Sequence, residues 1–366
     1  MSVSLAFGVG LGSEECRGYD AEFRSFAVRT RMPRIEIPMT LLSISRNALL
    51  ESIRQPVFVV LLIAGELALA LNLSLAAFTF GEDDKLLVDL GLSTLLLAGL
   101  LSAAFTAASV LANEIEKRTV LTVVSKPVSR ATVVLGKFLG VCGALAVGQW
   151  TLSSVFLLTV RHGVAADART DIAFDMPVIV VSTLFFGLAA VYAGLANYLY
   201  RRPFPSVFTV STAVAATAAV VTTWCIEPSW RFQNPSREWN PQLMFALAMV
   251  FEAVLVLAAV AMAASTRLGQ TATFFVSLGF LLAGLVGEYF VGQFADTESL
   301  PNAVRNLTGL FVLIVPNLQY FWAADALTQG HPITPFYFYT VSAYASFMIA
   351  GIMSLAVLLF QRRDVG

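Results

Sequence analysis

Eight long apolar runs dominate the sequence and restrict the folds open to it. They cover residues 57–80, 86–112, 131–160, 177–200, 207–226, 243–264, 273–294 and 336–360. A helix needs about 20 mainly apolar residues to cross the hydrocarbon layer of a bilayer. Charged residues make up only 13% of the chain, where soluble domains carry about 25%. The sequence therefore predicts an all-α, polytopic integral membrane protein with about eight transmembrane helices.

The distribution of basic residues predicts how these spans are oriented. Eight spans place both chain ends on one side of the membrane. That side would carry Arg17, Arg24, Arg29, Arg31, Arg34, Arg46, Arg54, Lys117, Arg118, Lys126, Arg130, Lys137, Arg201, Arg202, Arg267, Arg362 and Arg363. The other side carries far fewer basic residues and most of the acidic loops. Because basic loops stay in the cytoplasm, we expect both termini and the loop between the second and third runs to be cytoplasmic.

The part of the chain before the first run divides into two. Residues 1–39 lack the basic start and apolar core of a cleaved signal, and we expect a loosely ordered cytoplasmic tail. Residues 40–55 alternate apolar and polar side chains at near-helical spacing. This pattern is typical of an amphipathic helix in the membrane interface, with Pro56 at the corner into the first span. A short solvated helix is the alternative.

Residues 113–130 form a polar segment between the second and third apolar runs. A bare charge in the bilayer core costs about 2.5–3.5 kcal/mol on insertion scales, so this segment must contact water or another protein. We expect Asn113 to cap a short helix whose first turn carries Glu114 and Glu116, since carboxylates suit a helix N-terminus. Pro127 would stop that helix. An ordinary solvated loop is the alternative.

The pattern of this segment resembles the cytoplasmic coupling loop of ABC-2-type transporter permeases. The amphipathic helix at 40–55 and the basic C-terminal end at Arg362 and Arg363 are similar to that family too. The residues to which the resemblance assigns a role in coupling to an ATPase are Glu114, Glu116, Lys117, Arg118, Thr119, Lys126, Pro127, Arg130, Gly136 and Lys137. The commonest members have six spans, so the extra pair predicted within residues 177–264 departs from the family.

The resemblance implies a permease subunit in the inner (plasma) membrane that moves a substrate, most simply by export. Its partners would be a cytoplasmic ABC ATPase subunit, a second copy or a related permease, and membrane lipid. ATP and Mg would bind the ATPase, and this chain would hold no cofactor. The sequence has no phosphate-binding loop and only two histidines, so we expect no catalytic or metal site. A net charge of −1 gives no reason to expect nucleic-acid binding.

Acidic residues inside spans are candidate functional groups because burying them in lipid is costly. Glu66 and Glu252 fall near the middle of their runs, whereas Glu288 is nearer one end. They would either belong to an intramembrane path or make interhelical hydrogen bonds. A proton-coupled secondary transporter using Glu66 and Glu252 is therefore one alternative function. A membrane-bound enzyme or assembly factor is another.

Two regions on the other face complete the predictions. Residues 306–330 contain a proline and several polar residues, so they are expected to form a re-entrant or surface-lying helix pair and not a ninth span. Short external helices before the last span also occur in the ABC-2 family. Asp167, Asp171 and Asp175 lack the spacing of a calcium loop and are expected to be solvated.

Overall fold

The computed structural model describes five stretches of the chain and leaves gaps between them. They are residues 36–76, 83–116, 129–164, 174–295 and 314–361. The chain divides into two compact units, Met1–Thr40 and Leu41–Gly366. Of the first unit, only residues 36–40 are described, as the first turn of a helix. The tail predicted at 1–39 therefore lies almost entirely outside the described residues.

Helices account for nearly all the regular structure of the described residues. The long ones are α1 (Glu36–Ile53), α2 (Pro56–Ala76), α3 (Asp83–Glu116), α4 (Arg130–His162), α5 (Met176–Tyr200), α6 (Phe204–Trp224), α7 (Pro241–Ser265), α8 (Gln270–Ala295) and α10 (Pro335–Gln361). The five-residue helix α9 (Ala324–Thr328) and 3-10 turns at Pro235–Arg237 and Gln319–Phe321 lie between them. Within the described stretches, the β pairing is one isolated bridge between Ile226 and Phe232.

In the described part of the chain, eight helices are long and apolar enough to span a membrane: α2 to α8 and α10. Each coincides with one predicted apolar run, so the expected all-α, polytopic membrane fold is confirmed. Helices suit this environment because their backbone hydrogen bonds are all internal. Residues 40–53 of the predicted elbow, 40–55, belong to the helix α1, and their place in the membrane interface stays a prediction.

One predicted boundary is wrong. The helix α3 continues without a break from Asp83 to Glu116, so Asn113 lies in its last turn and does not cap a separate helix. Glu114 and Glu116 likewise belong to the end of α3. The physical reason is local: α3 contains no proline, and a polar residue does not end a helix whose backbone hydrogen bonds can continue.

Several span ends are set by residues typical of helix caps. Ser129 accepts a hydrogen bond from the backbone N–H of Thr132 at the start of α4, and Asn240 accepts from two backbone amides at the start of α7. The helix α4 ends at Gly163, whose φ of +66° and ψ of 174° fall in a region that is essentially restricted to glycine. These side chains satisfy groups that a helix end leaves without partners.

The helices surround α7, which is the most enclosed span: 67% of its most apolar window is buried, against 22% for α5 and for α10. It packs mainly against α3 and α10, and less extensively against α8 and α4. The helix α2 packs chiefly against α3 and α4. The helices α5 and α6 form a closely packed pair that joins the bundle chiefly where α6 contacts α4. This arrangement makes α4 the link between the central bundle and the outlying pair.

Candidate functional site

The structure describes the predicted coupling residues unequally. Lys117, Arg118, Thr119, Lys126 and Pro127 lie outside the described residues. Glu114 and Glu116 are placed by their backbone at the end of α3. The first turns of α4 hold Arg130, Gly136 and Lys137. Around the polar segment, the structure therefore describes the two flanking helices, the end of α3 and the start of α4.

Three glycines let α1 lie directly against the first turns of α4. A Cβ atom added to Gly140 would lie 2.5 Å from both the Cβ of Ala48 and the carbonyl oxygen of Ser45. Added to Gly136 or Gly143, it would lie 2.8 Å from Ile44 or 2.6 Å from Leu49. The three glycines therefore permit a backbone approach that no larger residue would allow. The Gly-x-x-x-Gly-x-x-Gly spacing is the sequence feature that indicates such a contact, and only Gly136 is among the residues predicted for this region.

Lys137 joins the two helices that carry the polar segment. Its side chain is only 3% exposed, and its Nζ donates a hydrogen bond of 2.8 Å to the backbone oxygen of Val110 in α3. The ammonium group therefore faces α3 from inside the bundle. Any part it plays in coupling would consist of holding α3 and α4 together, not of touching a partner protein.

Arg130 connects the same region to the end of the last span. Its Nη1 donates a hydrogen bond of 3.0 Å to the backbone oxygen of Gln361 in α10. The start of α4, the end of α10 and the helix α1 thus lie together, and we call this the α1 end of the bundle. It brings α1 and the end of the last span together on the side where α3 ends and α4 begins.

The opposite end of α4 is built around Arg161, and we call it the Arg161 end. Its Nε lies 3.3 Å from Oδ2 of Asp175, and both side chains are almost fully buried. The guanidinium also donates to the backbone oxygens of Thr223 and Ile226, and Asp175 accepts from the amide of Val178. One side chain therefore ties α4 to the start of α5 and the end of α6.

This geometry corrects the expectation that Asp175 is solvated. The carboxylate is 7% exposed because Arg161 supplies a counter-charge within the same pocket, which makes its burial tolerable. Asp167 and Asp171, about which the same was expected, lie outside the described residues.

The two mid-membrane glutamates are not brought together. Glu66 lies at the middle of α2, and its Oε1 is buried without a hydrogen-bond partner among the described residues. Glu252 lies at the middle of α7, where its Oε1 accepts a hydrogen bond of 2.6 Å from Ser342 of α10. Its Oε2 is buried and has no described partner. The helix α2 packs against α3, α4 and α6 and, in the described part of the chain, makes no extensive contact with α7, so the two carboxyl groups belong to separate surroundings.

Other polar residues in the spans have structural partners. Asn72 of α2 donates to Thr94 of α3 at 3.0 Å, and Asn197 donates to the backbone oxygen of Arg202 at 2.7 Å. Glu288 accepts from Asn317 at 3.1 Å. These contacts fix neighbouring helices or a turn, as polar groups in membrane proteins commonly do.

The segment before the last span is held against the Arg161 end of the bundle. Residues 314–330 contain short helices and turns, and the re-entrant or surface-lying helix pair expected at 306–330 stays a prediction. Leu318 donates its amide to Gly284 at 3.1 Å, and Asn317 donates its amide to the hydroxyl of Tyr344 at 2.9 Å. A cavity of about 770 Å³ opens beside this segment, lined in part by Glu288 and Asp325. Residues 306–313 lie outside the described part.

No metal centre can be built from the described residues, since no three His, Cys, Asp or Glu side chains come together among them. Comparison with protein families and with curated proteins finds no match to this chain. Within the described bundle, both ends of α4 are tied to neighbouring helices, through Arg130 and Lys137 at one end and Arg161 at the other.

Proposed function

We propose that this chain is the permease subunit of an ABC-2-type transporter. It moves a substrate out of the cell, driven by ATP hydrolysis in a separate cytoplasmic ATPase that binds ATP and Mg. A second copy or a related permease completes the transport path. The protein lies in the inner (plasma) membrane with both termini in the cytoplasm, so the α1 end is the cytoplasmic end.

The observation that carries this proposal is the way the polar segment is anchored. Its two supporting helices are joined by the bond from Lys137 to Val110, and α4 is packed against α1 through Gly136, Gly140 and Gly143. A force on residues 117–128 would therefore act on α1, α3 and α4 together. Such a block moves as a rigid body more readily than it bends, as a coupling element requires.

The connection through α4 suggests how movement would travel. ATP binding would draw two ATPase subunits together, and each would push on one polar segment. The helix α4 is 33 residues long, and its far end holds α5 and α6 through Arg161. A rigid displacement at the α1 end would in this way shift the Arg161 end, which is what alternating access to the two sides needs.

Affinity purification of the tagged protein from its native membrane, in mild detergent, tests the proposal. We expect a stoichiometric soluble ATPase to co-purify with the wild-type chain. The double substitution Glu116→Ala with Arg118→Ala should greatly reduce both the bound ATPase and its hydrolysis. The matched control is Arg267→Ala, which removes an exposed basic residue from the loop between α7 and α8 on the same face. That variant should retain the ATPase.

Two results would contradict the proposal. One is that the chain purifies alone from membranes in which all cytoplasmic proteins are present. The other is that the double variant binds and stimulates the ATPase as the wild type does, with the same detergent-solubilised yield.

A second candidate function has one observation in its favour: Glu66 and Glu252 each keep a buried carboxyl oxygen without a described partner. Buried ionisable groups in spans mark proton paths in many transporters. A proton-coupled transporter would lose transport when Glu252 is replaced by Gln, and it would need no ATPase. The permease would keep its ATP-driven transport in the same variant.

A further inference from the structure

A groove runs along the outlying pair of helices at the α1 end. It has a volume of about 800 Å³ and lies between the end of α1, the middle of α5 and the first two-thirds of α6. Its walls are apolar or small, with Phe185, Leu188 and Tyr192 from α5 facing Val207, Val210 and Val214 from α6. Since α5 is among the least enclosed spans, the groove opens toward the surrounding lipid.

The length of the groove matches one leaflet of a bilayer. On α6 its lining runs from Ser206 to Ala218, and twelve residues of helix rise about 18 Å. One half of the hydrocarbon layer is about 15 Å thick. The lining residues of α6 recur every three or four positions, so they form one continuous face. A single acyl chain would lie along this face from the interface to the middle of the membrane.

The mouth of the groove is positively charged. Arg54, just after α1, and Arg202, just before α6, are the only charged side chains among the described residues that line it. Both are exposed, and neither forms an ion pair with a carboxylate of the described part. The two guanidinium groups therefore remain available for an anion at the membrane surface.

The turn that carries Arg202 is held in place. Arg201 adopts a left-handed conformation with φ of 51°, and Asn197 donates to the backbone oxygen of Arg202 at 2.7 Å. The amide of Arg202 donates in turn to Ala196. A non-glycine residue in this conformation carries a strain that the surrounding contacts must offset. The turn thus positions Arg202 beside the groove without relying on a ligand.

We propose that this groove is a binding site for an anionic phospholipid. The phosphate lies between Arg54 and Arg202, and one acyl chain follows the apolar face of α6. Basic pockets between membrane helices recognise anionic headgroups in this way. A soluble anion would leave the apolar walls uncovered, and a neutral lipid would leave both guanidinium groups without a counter-charge. The proposal is independent of the transport function.

Native mass spectrometry of the intact protein in mild detergent tests this site, with dioleoylphosphatidylglycerol and dioleoylphosphatidylcholine as the two probes. We expect the wild type to retain one phosphatidylglycerol per chain, bound more tightly than phosphatidylcholine. Each basic residue near a headgroup strengthens binding by about fivefold. The double substitution Arg54→Ala with Arg202→Ala should therefore abolish the preference for the anionic lipid, and Arg54→Lys with Arg202→Lys should keep most of it.

Two further variants locate the lipid. Arg231→Ala with Arg237→Ala removes two exposed arginines at the Arg161 end and should leave binding unchanged. Val210→Trp narrows the groove below the arginines and should weaken binding of both lipids. Inorganic phosphate at millimolar concentration should not displace the lipid.

Four results would overturn the proposal. The first is equal binding of the two lipids to the wild type, and the second is a preference that survives loss of both arginines. The third is displacement by inorganic phosphate alone. The fourth is a lipid-free dimer that Val210→Trp converts to monomers, because a second copy of the chain would then occupy the groove.

Discussion

The two ends of α4 are attached to the rest of the protein by different means. At the Arg161 end, one buried guanidinium joins three elements through an ion pair and backbone oxygens. At the α1 end, glycines allow helices to touch at Gly140, and Lys137 donates a hydrogen bond to Val110 of α3. The first attachment depends on charge and the second mainly on shape.

This difference indicates what each end tolerates. A buried ion pair is costly to break, because the remaining charge stays in a medium of low dielectric constant. Close helix packing depends on the absence of side-chain atoms, and it is lost in steps as atoms are added. We therefore expect a single substitution at the Arg161 end to cause a large loss of stability. At the α1 end, we expect the loss of stability to grow with the number of atoms added.

The largest effect is expected at Arg161. Arg161→Ala leaves Asp175 buried without its counter-charge and removes the donors to Thr223 and Ile226. Losing one partner of a buried pair costs about 3–5 kcal/mol. Thermal unfolding of the detergent-solubilised protein would measure the loss. Arg161→Lys keeps the charge but not the fork of donors, so it should recover only part of the stability. An unchanged unfolding temperature for Arg161→Ala would show that this end is not held by charge.

A smaller loss is expected when a methyl group is added at the α1 end. In Gly140→Ala, the new Cβ would meet backbone atoms of Ser45 and Leu49 at 2.5 and 2.8 Å, and a backbone cannot turn aside as a side chain can. Overpacking of this kind costs about 1–3 kcal/mol. The matched control is Gly187→Ala on α5, where the added Cβ meets nothing within 4 Å.

The control should be neutral or slightly more stable, because alanine favours a helix over glycine by about 1 kcal/mol. If both alanine variants unfold at the same temperature, the contact between α1 and α4 does not depend on glycine. The same pair of variants can be compared for bound ATPase, where only Gly140→Ala should show a loss.

The smallest effect is expected at Lys137. Lys137→Met keeps the length of the side chain but removes the donor to Val110. Hydrogen bonds between membrane helices contribute about 0.6 kcal/mol on average, so the unfolding temperature should fall only slightly. The control is Thr151→Val, since the Thr151 hydroxyl donates to Val147 of its own helix and to no other helix among the described residues. If Lys137→Met lowered the unfolding temperature as much as Arg161→Ala, the α1 end would depend on charge as the Arg161 end does.

The sequence predicted the membrane architecture well, because an apolar run of about 20 residues is a local property. It also predicted a helix over residues 40–55, most of which lie in α1; the place of that helix in the membrane interface and the re-entrant segment at 306–330 stay predictions. The predicted helix start at Asn113 was wrong, since capping residues indicate a helix end only where the helix does not continue through them. The orientation and the coupling role stay predictions.

The contacts that organise the site could not be predicted in the same way. Asp175 and Arg161 are 14 positions apart in sequence, and nothing local distinguishes a buried aspartate from one in a solvated loop. The partner of Lys137 depends on how α3 and α4 are aligned, which is a tertiary property. Glu252 illustrates the same limit, because its partner Ser342 lies 90 residues away.

The unbroken course of α3 has a mechanical consequence. With 34 residues, it is a rod about 50 Å long, well beyond the roughly 30 Å of the hydrocarbon layer. A tilt of only about 5° around its far end would displace Glu116 by about 4 Å, by simple leverage along a rod of this rise. A displacement of a few ångströms at the end of α3 would then require only a small change in the tilt of this helix inside the bilayer.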